Sequence, residues 1–158
     1  MKYYFALLSI VLVLGCVGTQ SPLGKVVAIG DNVSVDYTGM FENGTVFDSS
    51  AGRVPLEFSV GAGQMIKGVD AAVVGMHLDE ERNVTIKPDD AYGNYSLSNI
   101  VMVSVQDVPD GTKTGSILYV NGQQVRVLDI RNNTVFIDMN HPLAGKTLVF
   151  RIRIVKIN

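Results

Sequence analysis

The 158-residue chain predicts an α+β fold that is mostly β: an antiparallel sheet wrapped around one short helix, with a small inserted β domain. Three observations carry that expectation. Apolar residues alternate with polar ones over several short stretches, the period of half-buried strands. One window, Met65 to Met76, shifts to helical spacing. A second block of alternating stretches, residues 96–138, interrupts the first and is too long to be a connection between two strands.

The elements follow in order. From Asn32 to Phe41, Val33, Val35, Tyr37, Gly39 and Phe41 share one face, with Ser34, Asp36 and Thr38 on the other. A Glu42-Asn43-Gly44-Thr45 turn leads to Phe47-Asp48. Turn chemistry accounts for the polar residues. It does not account for Tyr37, Phe47 and Asp48 being brought so close together. Pro55 opens a second strand, Leu56 to Val60. In the helical window Ile66, Val69, Val73 and Met76 recur on one face, and Gly75 stands near its end. Asp79 to Lys87 alternates again, with Val84 and Ile86 apolar. In the last strand, Thr147 to Ile157, Leu148, Phe150, Ile152 and Ile154 face one way and Arg151 and Arg153 the other. Its length suits the middle of a sheet.

The interrupting block contains Ile100–Val105, Ser116–Val120, Gln123–Ile130 and Thr134–Ile137. Asn121-Gly122 between two apolar runs is a strong hairpin signal. A unit of roughly 40 residues is marginal alone, so part of its apolar surface is expected to stay uncovered.

The N-terminus has signal-peptide grammar: Met1-Lys2, an apolar run from Tyr3 to Leu14, then Gly15-Cys16. The run is shorter than the ~20 apolar residues of a membrane span. Residues 1–15 read as a signal, and Cys16 stands where a lipobox places its lipid-bearing cysteine. The alternatives are an ordinary cleaved signal or an uncleaved anchor, with Cys16 incidental. Residues 16–28 then read as a tether, and the expected location is the outer face of the cytoplasmic membrane. Residues 29–95 and 139–158 make the main domain and 96–138 the insert.

Several chemistries find no support. A net charge of −2 offers no surface for tracking phosphates, so no nucleic-acid partner is expected. His77 and His141 are the only histidines, and Cys16 the only cysteine, so no metal site and no cofactor are expected. Ser49-Ser50 lacks a nucleophile-elbow pattern. In VGAGQMIKG, Val69-Asp70 stands where a phosphate loop needs Lys-Ser/Thr.

What remains is a set of aromatic and aliphatic residues with one acid. Taken singly, Phe47, Phe58 or Phe150 reads as core and Asp48 as a turn acid. Their joint order says more. VDYTGMFENGTVFDSS, PLEFSVGAGQMIKGVDAAVVGM, DDAYGNYS and NHPLAGKTLVFRIRIVKI resemble the FKBP-type peptidyl-prolyl isomerases, over nearly all of residues 30–158. The stretch between Tyr92-Gly93 and Asn140-His141 resembles the insert-in-flap domain of the SlyD-like branch.

The resemblance implies a pocket. Its catalytic residues are Tyr37, Phe47, Asp48, Ile66, Tyr92 and Phe150, with Leu56, Phe58, Met65 and Val69 binding substrate. Met65 and Ile66 match the two residues that begin the helix. The Ile66 N–H and the Tyr92 hydroxyl hold substrate carbonyls, and Asp48 orients Tyr37. Val69 replaces a frequent tryptophan and Leu56 an aromatic, so the floor is wider and macrolide binding weaker. The implied activity is isomerisation of X-Pro bonds in extracytoplasmic polypeptides by a monomer. The insert is expected to hold unfolded clients through exposed Ile100, Met102, Val103, Val105, Ile117 and Leu118. His141-Pro142 reads as a linker, or as a flap contact to substrate. The rival readings are a non-catalytic holdase and a surface lipoprotein that binds a small ligand.

Overall fold

The computed structural model describes residues 24–158; the signal run, Cys16 and the first part of the tether lie outside the described residues. The strands are β1 (Asn32–Phe41), β2 (Val46–Ser49), β3 (Leu56–Ser59), β4 (Glu81–Ile86), β5 (Ile100–Ser104), β6 (Ile117–Val120), β7 (Gln123–Arg131), β8 (Thr134–Asp138) and β9 (Leu148–Ile157). One α-helix, α1 (Lys67–Val73), stands between β3 and β4.

All strand pairs are antiparallel. The first sheet has the order β2-β1-β9-β4, with β3 also pairing β1. β2 takes the Thr38–Met40 end of β1 and β3 the Asn32–Val35 end. The two short strands thus act as one edge, interrupted by the loop at Ser50–Pro55. Phe47-Asp48 is therefore part of a strand of its own, so Leu56 opens the third strand. β9 is central because its alternation is the strictest: Leu148, Phe150, Ile152 and Ile154 are buried, Arg151 and Arg153 exposed.

α1 lays Val69 and Val73 against β4 and β9. It is shorter than the helical window. Ile66 is extended (φ −61°, ψ 143°) and caps the helix, and Met65 precedes it, so neither residue is helical. At the other end Val74 is extended and Gly75 takes φ 76°, a left-handed turn glycine adopts without strain. Periodicity alone cannot see this, because Met76 is still buried after the helix has ended. Gly68 has its own reason to be glycine: a Cβ there would lie 2.4 Å from Ile86 Cγ2.

The domain begins before residue 29. Val27 is buried in the main core, its N–H donates to Met76 O, and Gly75 N–H donates to Val27 O. The end of the expected tether is thus part of the domain, because an apolar side chain and two backbone bonds hold it there.

β5 to β8 form a second sheet in the order β5-β8-β7-β6. Asn121 and Gly122 both take positive φ in the β6–β7 turn. Asn132 and Asn133 do the same between β7 and β8, a turn without the Asn-Gly signature. Val125, Val127, Val135 and Ile137 make its small core. Asn140 joins the chain's departure into this sheet to its return. Its Oδ1 accepts from Ser96 N–H and Asn99 Nδ2, both at 3.0 Å. Its Nδ2 donates to Ser96 O at 2.9 Å and Asp138 Oδ1 at 2.7 Å. Among the described residues, no helix is long and apolar enough to cross a membrane.

Candidate active site

Between α1 and the first sheet lies an open bowl of about 570 Å³. β1 contributes Val35 and Tyr37, β2 contributes Phe47 and Asp48, and β3 contributes Leu56. Met65, Ile66 and Val69 line it from the start of the helix. Phe150 and Ile152 form its base on β9, and Tyr92 stands at its rim. Alternation explains the set: Tyr37, Phe150 and Ile152 are on the concave face of neighbouring strands, with Tyr37 opposite Ile152.

The rings form a packed wall. Phe47 meets Phe150 edge-to-face, with centroids 5.8 Å apart at 82°. Phe41 backs Phe47 at 5.1 Å. Gly39 permits this approach, since a Cβ there would lie 2.7 Å from Phe47 Cζ and 3.1 Å from Phe150 Cε1.

One polar chain crosses the wall. Tyr37 Oη donates to Asp48 Oδ2 at 2.6 Å. Arg53 Nη2 donates to Asp48 Oδ1 at 2.7 Å, and Ser49 N–H to the same oxygen at 2.9 Å. Burial, then the Asp48 bond, pushes the Tyr37 phenol up to about 12. The bond from Tyr37, with help from Arg53, holds the Asp48 carboxyl below its ordinary range. At neutral pH the phenol is therefore protonated and the carboxylate ionised. Among the described residues, no acceptor meets the Ile66 N–H, which stands at the lip of the helix. Tyr92 is 36% exposed, and burial, then the charge of Asp48, raises its pKa.

Nine of the ten pocket residues expected from the sequence line this bowl. Phe58 does not. It is two residues beyond Leu56 on the same face, opposite Val33, and that end of the sheet is closed over by the core. Sequence reasoning missed the lining residue Gln64 and the floor residue Ile152, and Arg53, which reaches the site only through Asp48. Gln64 accepts from Ser59 N–H at 2.8 Å and so fixes the loop before α1. No periodicity marks Arg53; a cation five residues after Asp48 is its only signal.

The expected client residues of the insert divide. Met102, Val105 and Ile117 are exposed. Val103 and Leu118 are not free surface: both are half-buried and pack on the small core, Leu118 through the alternation of β6. Ile100 is half-buried at the start of β5. Tyr119, Val101 and Leu128 are exposed instead.

The FKBP-type peptidyl-prolyl cis-trans isomerase family matches residues 24–155. The chain belongs to that family. Its FKBP-type relatives include a SlyD isomerase of Helicobacter pylori, 37% identical over 70% of this chain and 63% of the relative. A short-type peptidyl-prolyl cis-trans isomerase of Methanocaldococcus jannaschii is 32% identical over 79% of this chain and 90% of the relative. The FK506-binding protein 1A of Neurospora crassa is 48% identical over 46% of this chain and 61% of its own length. Two of these three FKBP relatives are thus spanned over less than two thirds of their length. The matches to SlyD proteins cover more of this chain than the FK506-binding protein does, which supports the SlyD-like branch.

Proposed function

We propose that this chain catalyses cis–trans isomerisation of X-Pro bonds, that the inserted sheet holds unfolded clients beside the bowl, and that it acts outside the cytoplasm, held at the membrane by its N-terminus. The observation that carries the catalytic reading is the unfilled apolar bowl with a single tyrosine–carboxylate–arginine chain in its wall.

Amide resonance sets a barrier of ~18–20 kcal/mol to rotation about the X-Pro bond. The planar ground state carries resonance charge on its oxygen, and the twisted transition state has lost most of it. A dry apolar bowl disfavours the planar form relative to the twisted one, and only such differential stabilisation accelerates a reaction. Phe47, Leu56, Val69 and Phe150 seat the proline ring. The Ile66 N–H and the Tyr92 hydroxyl hold the flanking carbonyls, and Asp48 fixes the Tyr37 ring. No bond is made, so no nucleophile is required.

The exposed Met102, Tyr119 and Ile117 support client holding. A tethered client raises the local concentration of its prolines. Met1-Lys2, the apolar run and Cys16 support export. The test compares residues 24–158 with a variant in which a short loop replaces residues 96–138. Both are expected to isomerise a short X-Pro peptide, but only the complete form to speed refolding of a proline-limited protein. No peptide turnover by folded protein rejects the enzyme in favour of a holdase. Equal loss of both activities in the variant rejects the division of labour.

A further inference from the structure

We propose that His141 is a positioning residue, a ring plate that aims the Tyr92 hydroxyl into the bowl. The inference rests on the isomerase reading of that bowl. Tyr92's backbone is well held: Gly93 N–H donates to Pro88 O at 2.8 Å, and Gly145 N–H to Gly93 O at 2.8 Å. Its side chain is not. Among the described residues, Tyr92 Oη makes no hydrogen bond, and the residue is 36% exposed. Among the described residues, the aromatic ring stacked on it is His141, with centroids 4.0 Å apart and planes 2° from parallel.

His141 is itself fixed. Its Nδ1 accepts from Leu143 N–H at 3.1 Å, which places the ring proton on Nε2. Its carbonyl accepts from Ala144 N–H at 2.8 Å. The turn that returns the chain from the insert therefore holds a flat ring against the tyrosine. A tyrosine on a rim turns about two side-chain bonds, and each turn swings the hydroxyl by several ångströms. Misplacing a reacting contact by about 1 Å costs up to ~100-fold in rate, so a plate that removes this freedom has a kinetic consequence.

The groups that face the plate are Tyr92, with Asp48 beyond it across the bowl, and on the opposite side Tyr95, Arg126, Asp138 and Lys146 around a separate cavity of about 310 Å³. Burial lowers the His141 pKa from 6.5. The neutral ring is thus the form the folded protein favours. Protonation puts hydrogen on Nδ1 and ends the bond from Leu143. The sign follows: the arrangement is intact above 6.5 and is lost as pH falls through the lower folded pKa.

The test is X-Pro peptide isomerisation across about pH 5–8 by wild type, His141→Ala, His141→Asn and His141→Phe. Asparagine can keep the turn by accepting from Leu143 N–H, but offers no plate. Phenylalanine keeps the plate and does not titrate. Alanine and asparagine are expected to lower kcat about tenfold with KM within about twofold. Phenylalanine, which keeps the plate but not the bond from Leu143, is expected to fall between alanine and wild type at neutral pH and to lose the acidic fall in rate. An asparagine variant as fast as wild type, or a phenylalanine variant as slow as alanine, overturns the proposal. Tyrosine-labelled NMR of the wild type gives a reading that needs neither turnover nor a variant: the Tyr92 ring signals should titrate with His141. An active protein whose Tyr92 signals ignore that titration sinks the plate alone. A folded protein with no peptide turnover sinks the isomerase reading, and with it any kinetic role for the plate.

Discussion

Around α1 the first sheet closes over thirteen buried apolar side chains, whereas the inserted sheet buries only Val125, Val127, Val135 and Ile137. The difference shows what each region can do. A large core holds its backbone in place while leaving a bowl of about 570 Å³ unfilled: Ile152 is at the floor, and Ile154 and Leu148 on the same strand are completely buried. Every side chain missing from a hollow is lost packing, so only the region with packing to spare can have one. The inserted sheet has none to spare. Its surplus apolar groups, Met102 (68% exposed) and Tyr119 (73%), face outward, where they can touch another chain but cannot enclose a substrate.

The same deletion in both regions tests this most severely. Ile152 is in the central strand and Ile137 in the small core, each at most 4% exposed. Ile152→Ala is expected to cost ~2–5 kcal/mol of global stability, lowering the main unfolding transition. Ile137→Ala should open the insert alone, releasing amide protection in β7 and β8 while β9 stays protected and peptide isomerisation persists. If Ile137→Ala lowers protection in β9 by the same amount, the two sheets are one cooperative unit and the contrast fails.

The junction comes next. Asn140 is 7% exposed, and its side chain makes three hydrogen bonds across the two connections and a fourth to Asp138. Asn140→Ala leaves part-buried backbone groups of Ser96 without this partner, at no more than ~1–3 kcal/mol. The expected result is faster exchange at Ser96 and Asn99, weaker assistance to refolding proteins, and unchanged turnover of short peptides. A matching loss of peptide turnover shows that the junction shapes the bowl as well.

Inside the large core, Gly39→Ala measures how closely the wall is packed. The new Cβ would meet Phe47 Cζ at 2.7 Å, and Phe47 can retreat only toward the bowl, since Phe41 backs it. The expected cost is about 1 kcal/mol of overpacking, with a larger proportional loss of isomerase rate than of stability. Full rate in a folded Gly39→Ala protein means that the wall has room the structure does not show.

These features differ in how plainly the sequence carries them. β9 and β1 were legible because strict alternation survives wherever one face is buried. The bowl was legible only through the joint order of Tyr37, Phe47-Asp48, Met65-Ile66, Tyr92 and Phe150, since each ring singly reads as core. Phe58 was misplaced for the same reason: Leu56 and Phe58 share a face, and nothing local says where along that face the core closes. β2 was hidden because four residues are too few to show a period. Val103 and Leu118 pack on the small core instead of facing solvent, because excess apolar composition does not say which residues are outermost. Arg53, Asn140 and the His141–Tyr92 stack join residues through the fold, so no spacing announces them.

The smallest expected change in stability falls on the outer surface of the insert. Met102 is on β5 and Tyr119 on β6, the two edge strands of their sheet, and both are mostly solvent-exposed. Replacing each by lysine removes apolar surface from water without opening a cavity, so unfolding should shift by no more than ~0.5 kcal/mol. Peptide isomerisation should be untouched, since neither residue reaches the bowl. Lysine on an edge also discourages another chain from pairing there. Assistance to a refolding, proline-limited protein should therefore fall, and the protein concentration needed for half-maximal effect should rise. Were the doubly substituted protein to assist refolding as well as the wild type, the outward apolar groups would be only the residue of an undersized core. The two sheets would then differ in stability but not in task.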